Sequence, residues 1–193
     1  MNVEQVVEEF LKLVNEGKVE QAEKLIVKQA KEREDELAGI LLVTGAKIGD
    51  EGNYSVALRC FETARKIVKS EAMKELVVQS LGIAHNNYAI LLYEINRFEE
   101  AEDHYKKALD INPEDADAHY NYAILLKEIN RFEEAEDHYK KALEINPEDA
   151  DAHYNYAILL EEINRFEEAE DHYKKALDIN PEYAKAHNNY AIP

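Results

Sequence analysis

The chain contains no tryptophan, one cysteine, four prolines and six glycines in 193 residues. With Cys60 alone, no intramolecular disulfide framework can form, which fits a reducing compartment. Breakers are sparse, and Ala, Glu, Lys, Leu, Ile and Tyr dominate, a composition that favours helix. Basic residues are outnumbered, 23 Lys and Arg against 41 Asp and Glu, for a net charge of -18. Such a surface repels phosphate backbones and anionic lipid, so neither nucleic acid nor a membrane is the expected partner; a cationic partner would be steered in. No apolar run approaches the roughly 20 residues of a membrane span. The segment Met1–Phe10 lacks the basic start and unbroken apolar stretch of a signal peptide. A soluble, cytoplasmic protein is expected. There is no glycine-rich phosphate loop, no HExxH and no pair of histidines at i, i+4, so no cofactor or metal is expected.

What is present is self-similarity. Asn112-Pro113, Asn146-Pro147 and Asn180-Pro181 recur every 34 residues. Residues 116–149 and 150–183 differ at three positions, and residues 82–115 differ from 116–149 at five. In 116–149, Tyr122, Ala123, Leu125, Leu126 and Ile129 recur at helical spacing from about Ala116 to Ile129, and Ala135, Tyr139, Ala142 and Leu143 mark a second helix from about Phe132 to Ile145. Asn130-Arg131 makes the turn between them. Asn146-Pro147 ends the second helix, because proline disfavours helix in the residue before it. Pro147, Glu148 and Asp149 suit the start of the next helix. One such hairpin cannot bury its own stripes, but stacked neighbours can, which makes the chain a solenoid.

Residues His119, Tyr122, Ala123, Leu126, Ala135, Tyr139, Ala142 and Pro147 fall on the pattern W-x2-L-G-x2-Y, A-x3-F, A, P, with conserved sizes and changed residue types. The chain thus resembles the tetratricopeptide repeat family. The resemblance implies an all-α, right-handed α-solenoid of stacked helix-turn-helix repeats, working as a protein-binding scaffold and not as an enzyme. One solenoid over 1–193 is expected, divided into degenerate repeats 3–36 and 38–69, a repeat 70–115 with an N-terminally extended first helix, repeats 116–149 and 150–183, and a partial terminal helix 184–193. The extension answers a spacing of 44 residues, instead of 34, between Ala57 and Ala101. It predicts one helix from about Glu71 to Ile95.

In the family the first helix of each repeat lines the concave face. Carried onto this sequence, the sixth repeat position gives Asn87, Asn121, Asn155 and Asn189, a ladder of carboxamides resembling the lumen of the O-linked N-acetylglucosamine transferase repeats. A carboxamide both donates and accepts, so it can grip a peptide backbone in either direction. The alternative is an Asn copied with the repeat or bonded to the next helix. Asn86, Tyr120 and Tyr154 stand at position five; Ile90, Ile124 and Ile158 at nine, where they can equally be core; Tyr93 and Lys127 at twelve. Glu128 and Glu162 add acidic rims, and Lys127 alone is too little basic charge for a carboxylate clamp. The expected partner is an extended peptide segment of another protein, neutral to basic. The competing expectation is a homo-oligomer joined through the uncapped apolar end Tyr190, Ala191 and Ile192. The seven histidines are expected to pack with a polar tip, and Glu102, Asp103 and their copies to form a solvated helix face balanced by lysines at i+4.

Overall fold

In a computed structural model, residues 1–31, 33–184, 186 and 187 are described. Helix makes up 81% of the structure, and no strand occurs among the described residues. The helices are α1 (Val3–Asn15), α2 (Val19–Gln29), α3 (Glu34–Asp50), α4 (Tyr54–Ile67), α5 (Glu71–Glu94), α6 (Phe98–Ile111), α7 (Ala116–Glu128), α8 (Phe132–Ile145), α9 (Ala150–Glu162) and α10 (Phe166–Ile179). They pack as successive hairpins, α1 on α2, α3 on α4, α7 on α8 and α9 on α10. Two compact units result: Met1–Leu91 with Lys106–Asn112, and Leu92–Tyr105 with Pro113–Pro193. The 44-residue interval is taken up by α5, which is 24 residues long.

The first unit is held by aliphatic burial. Val6, Phe10, Ile26, Leu37 and Leu41 lose all solvent contact and meet Ile67 and Val77 in one cluster. Gly45 explains how α3 approaches α4: a Cβ there would lie 2.8 Å from a ring carbon of Phe61 and 3.0 Å from Cys60 Cβ. Cys60 itself is buried, and burial pushes its thiol up to about 12, far from nucleophile range.

The second unit is built on tyrosines. Tyr105, Tyr139 and Tyr173 are fully buried. Tyr105 stacks on Tyr122 with ring centres 5.7 Å apart, and Tyr139 on Tyr156 at 5.8 Å. Ala123 and Ala135 are fully buried where α7 meets α8. The hairpin turns place Asn96, Asn130 and Asn164 at φ of 59, 61 and 62°, the left-handed region that Asn tolerates better than other side-chain-bearing residues. Asp115 and Asp149 do more than complement a helix dipole: each caps a helix, accepting from the backbone N–H of Ala118 (3.1 Å) and Ala152 (3.0 Å).

Candidate protein-interaction surface

The first helices α7 and α9 lie side by side and present neighbouring faces. Asn155 Nδ2 donates to the Tyr120 hydroxyl and to its own helix at the Asp151 carbonyl, each at 2.9 Å. Its Oδ1 has no partner among the described residues, so Asn155 can offer a ligand an acceptor while its donors are committed locally. The bond to Tyr120 on α7 is the local alternative expected for this residue. Burial pushes the Tyr120 phenol up to about 12, keeping it neutral, and its ring lies edge-on to Tyr139 at 6.3 Å. Tyr154 is wedged between Tyr173 (5.9 Å) and Tyr183 (5.1 Å), and the Tyr183 hydroxyl donates to Asp151. Such packing fixes the rings and lowers the entropy they lose on contact. Asn121, Ile124 and Ile158 are half-buried on the same helices.

Several expected site residues stand elsewhere. Asn86 is buried, as are its neighbours Ala84 and His85 on α5, and so presents nothing to a ligand. Asn87 and Ile90 are half-buried and belong to the first unit, whereas Asn121 and Asn155 belong to the second. Tyr93 is half-buried against Phe98, with ring centres 5.8 Å apart. Lys127 is largely covered and ion-paired to Glu162 at 3.1 Å, so it is not a free cation. Asn189 lies outside the described residues, as do Tyr190, Ala191 and Ile192.

The expectation of a solvated acidic face fails at Glu102 and Glu136. Glu136 is only 13% exposed and bridges two hairpins. It accepts from Tyr156 Oη at 2.9 Å, from Arg165 at 2.7 Å and from Lys140 at 2.7 Å. Burial works against its charge, but the bonds from Lys140, Arg165 and Tyr156 outweigh it and bring the carboxyl down to about 2. Glu102 accepts from Tyr122 at 2.9 Å and Arg131 at 2.7 Å in the same arrangement. Sequence reasoning missed this because the partners are 20 and 29 residues away, while it searched one helix at a time.

The histidines follow the same rule across a hairpin. His119 Nδ1 lies 2.8 Å from His138 Nδ1, and His153 Nδ1 lies 2.9 Å from His172 Nδ1. His153 Nε2 is 3.1 Å from the Pro147 carbonyl, which can only accept, so that nitrogen carries the proton. In the neutral ring Nδ1 is then an acceptor, and His172 must donate from its own Nδ1. His119, 3.0 Å from the Pro113 carbonyl, and His138 repeat the pattern. Burial, then the facing imidazole, lowers His138 and His172 to about 4. Among the described residues no group of three metal-capable side chains converges, and no helix is long and apolar enough to cross a membrane.

Tetratricopeptide repeat family models match residues 81–148 and 123–184, together just over half of the chain. The chain belongs to the tetratricopeptide repeat family. Its solved structural relatives agree. YrrB, described as a TPR protein with an unusual peptide-binding site, is 19% identical, with 100% of this chain and 99% of that one covered at a TM-score of 0.58. MamA from Desulfovibrio magneticus RS-1 is 17% identical over 94% and 97% at 0.56. The first TPR of Spaghetti (RPAP3), bound to the HSP90 peptide SRMEEVD, is 21% identical over 56% and 86% at 0.55. At these identities the likeness is one of fold: an all-α tetratricopeptide solenoid. No curated protein sequence matches this tetratricopeptide chain.

Proposed function

We propose that this tetratricopeptide protein is an interaction scaffold that holds an extended peptide segment of a partner along the faces of its first helices. The observation that carries the reading is the row Tyr120, Asn121, Tyr154 and Asn155. These residues remain partly exposed on adjacent helices, while the apolar stripes beneath them are consumed by packing. Fixed aromatic rings give contact area at small entropy cost, and the open Asn155 Oδ1 suits a peptide N–H. The HSP90 peptide bound to RPAP3 and the peptide-binding site named for YrrB support the reading. The net charge of -18 favours a neutral to basic segment.

The test is a peptide selected from an unbiased display library and measured against the double variant Asn121→Ala, Asn155→Ala. Binding should weaken about tenfold or more, the value of one or two hydrogen bonds left unmade, while helicity stays unchanged. Equal affinity would remove the amides from the mechanism. Self-association is the competing reading, since α10 leaves Phe166 and Ile179 exposed. A mass that rises with concentration in light scattering favours it.

A further inference from the structure

The first unit carries a different kind of surface on its own first helices. On α3, Val43 is 69% exposed; on α5, Leu76 and Ile83 are 50% and 57% exposed. These are not scattered residues. Val43, Ala46 and Asp50 follow one another at helical spacing down one side of α3, and Leu76, Ser80, Ile83 and Asn87 do so down α5. The two helices approach each other where Gly39 faces the Met73 methyl, a Cβ there standing 3.7 Å from it. The stripe from Leu76 to Asn87 covers about 16 Å of helix, enough for about five residues of extended peptide.

Between the stripes lies a cavity of about 200 Å³. Its walls include Ala46, Gly49, Tyr54, Phe61, Ile83 and Ala84. The space exists because the α3 side is made of small residues: a Cβ on Gly49 would meet nothing nearer than 3.7 Å. An apolar cavity of about 150 Å³ accommodates benzene, so this one matches a single Leu, Met or Phe side chain. Asp50 is exposed and is the only charged residue lining it, and it pairs with no cation among the described residues. Asn87 stands at the same mouth, placing a carboxamide where the backbone of an entering segment would pass.

We infer that this cavity is the specificity pocket of the scaffold, taking one bulky aliphatic or aromatic side chain from a partner segment that carries Lys or Arg beside it. The pocket supplies the selection by shape, Asp50 pairs with the adjacent cation, and Asn87 holds the main chain. The inference rests on the peptide-binding reading and adds to it the residue that is read. Apart from Asn87 and Ile83, it concerns side chains that the repeat pattern did not single out, because the α3 repeat is degenerate and has no Asn at the ladder position.

The probes are fluorescein-labelled peptides Gly-Ser-Lys-X-Lys-Ser-Gly with X as Leu, Phe or Ala, and the Leu peptide with both lysines changed to Ser, measured by fluorescence anisotropy with the full chain. Leu and Phe should bind about tenfold or more tightly than Ala, the discrimination one apolar side chain provides. Gly49→Leu fills the cavity and should reduce that ratio to about two, and the smaller Gly49→Ala should reduce it part-way with helicity and melting temperature preserved. Asp50→Lys should abolish the preference for the lysine-bearing Leu peptide and leave the Leu-to-Ala ratio intact. If Leu and Phe bind no better than Ala, or if their advantage survives in both folded Gly49 variants, the pocket inference is overturned. In that case, a library-selected peptide whose binding weakens in the Asn121→Ala, Asn155→Ala variant leaves the scaffold reading standing. If no peptide binds at all, both fall.

Discussion

Lowering the pH from 7.5 to 5 should destabilise the second unit through its two imidazole pairs. His138 and His172 titrate near 4 in the folded chain against 6.5 when exposed. Between those values the unfolded chain binds more protons than the folded one. The contribution is therefore fully present above 6.5, is lost as the pH falls, and levels off below 4. At about 1.4 kcal/mol per pH unit, each ring forfeits about 2 kcal/mol by pH 5, or about 4 for the two. Solvent at the partly exposed ring edges reduces this to roughly 2–4 kcal/mol in total. The folded value of His153 is lowered in the same direction by burial. The well-held carboxylate Glu136 does not enter, since its folded value of about 2 makes its loss begin only near 4.5 and below. Relief of the -18 net charge on acidification works the other way, so a control is essential. His138→Asn with His172→Asn keeps an N–H donor near the Nδ1 position and removes the titration. Urea unfolding followed by circular dichroism at half-unit pH steps should give the native chain the steeper fall between 7 and 5. Parallel curves for the two proteins would refute the argument.

Three further contrasts separate buried from exposed versions of the same chemistry. Glu136→Ala should cost about 1–3 kcal/mol in urea unfolding, since it strips Tyr156 and Arg165 of a shared, largely buried acceptor; Glu168→Ala, which removes an exposed partner of the same Arg165, should cost about 0.5 kcal/mol or less. Tyr139→Phe should be neutral or stabilising, because the Tyr139 hydroxyl is buried without a partner, whereas Tyr173→Phe should cost about 1 kcal/mol by losing its 2.8 Å bond to Glu161. Calorimetry should find Gly45→Ala destabilising by about 1–3 kcal/mol through its clash with Phe61, and Gly49→Ala neutral or slightly stabilising in its open space.

The helices were legible because their signals are local. The second helix expected from Phe132 to Ile145 is found there, and the first ends one residue short of the expected Ile129. Asn-Pro breaks and 3.6-residue stripes act within a turn or two, so one sequence suffices to read them. The site was only partly legible, because its bonds cross between helices. Asn155 was open to either a ligand or a bond to the next helix, and it is tied to Tyr120, 35 residues away. Glu136 looked like surface and is structural, and the partner of His138 is an imidazole on the preceding helix. The second-helix run 132–141 recurs unchanged at 98–107 and 166–175. Identity there need not reflect an idle face, because Glu136, His138 and Tyr139 each contact a neighbouring helix. The exposed apolar stripe of α3 and α5 was invisible for a different reason: whether an apolar residue is core or surface depends on what finally packs against it.

The Tyr-Glu-Arg bridge has a consequence for how long such a protein can be. Residues 116–149 contain both halves of the fastening: Tyr122 and Arg131 reach back to Glu102, and Glu136 receives Tyr156 and Arg165 from the unit that follows. A tandem copy of this 34-residue segment would therefore bring its own attachment at either side, as a link brings its own eye and hook. Growth by duplication requires no new interface to evolve, and exposed positions outside the fastening are left free to diversify.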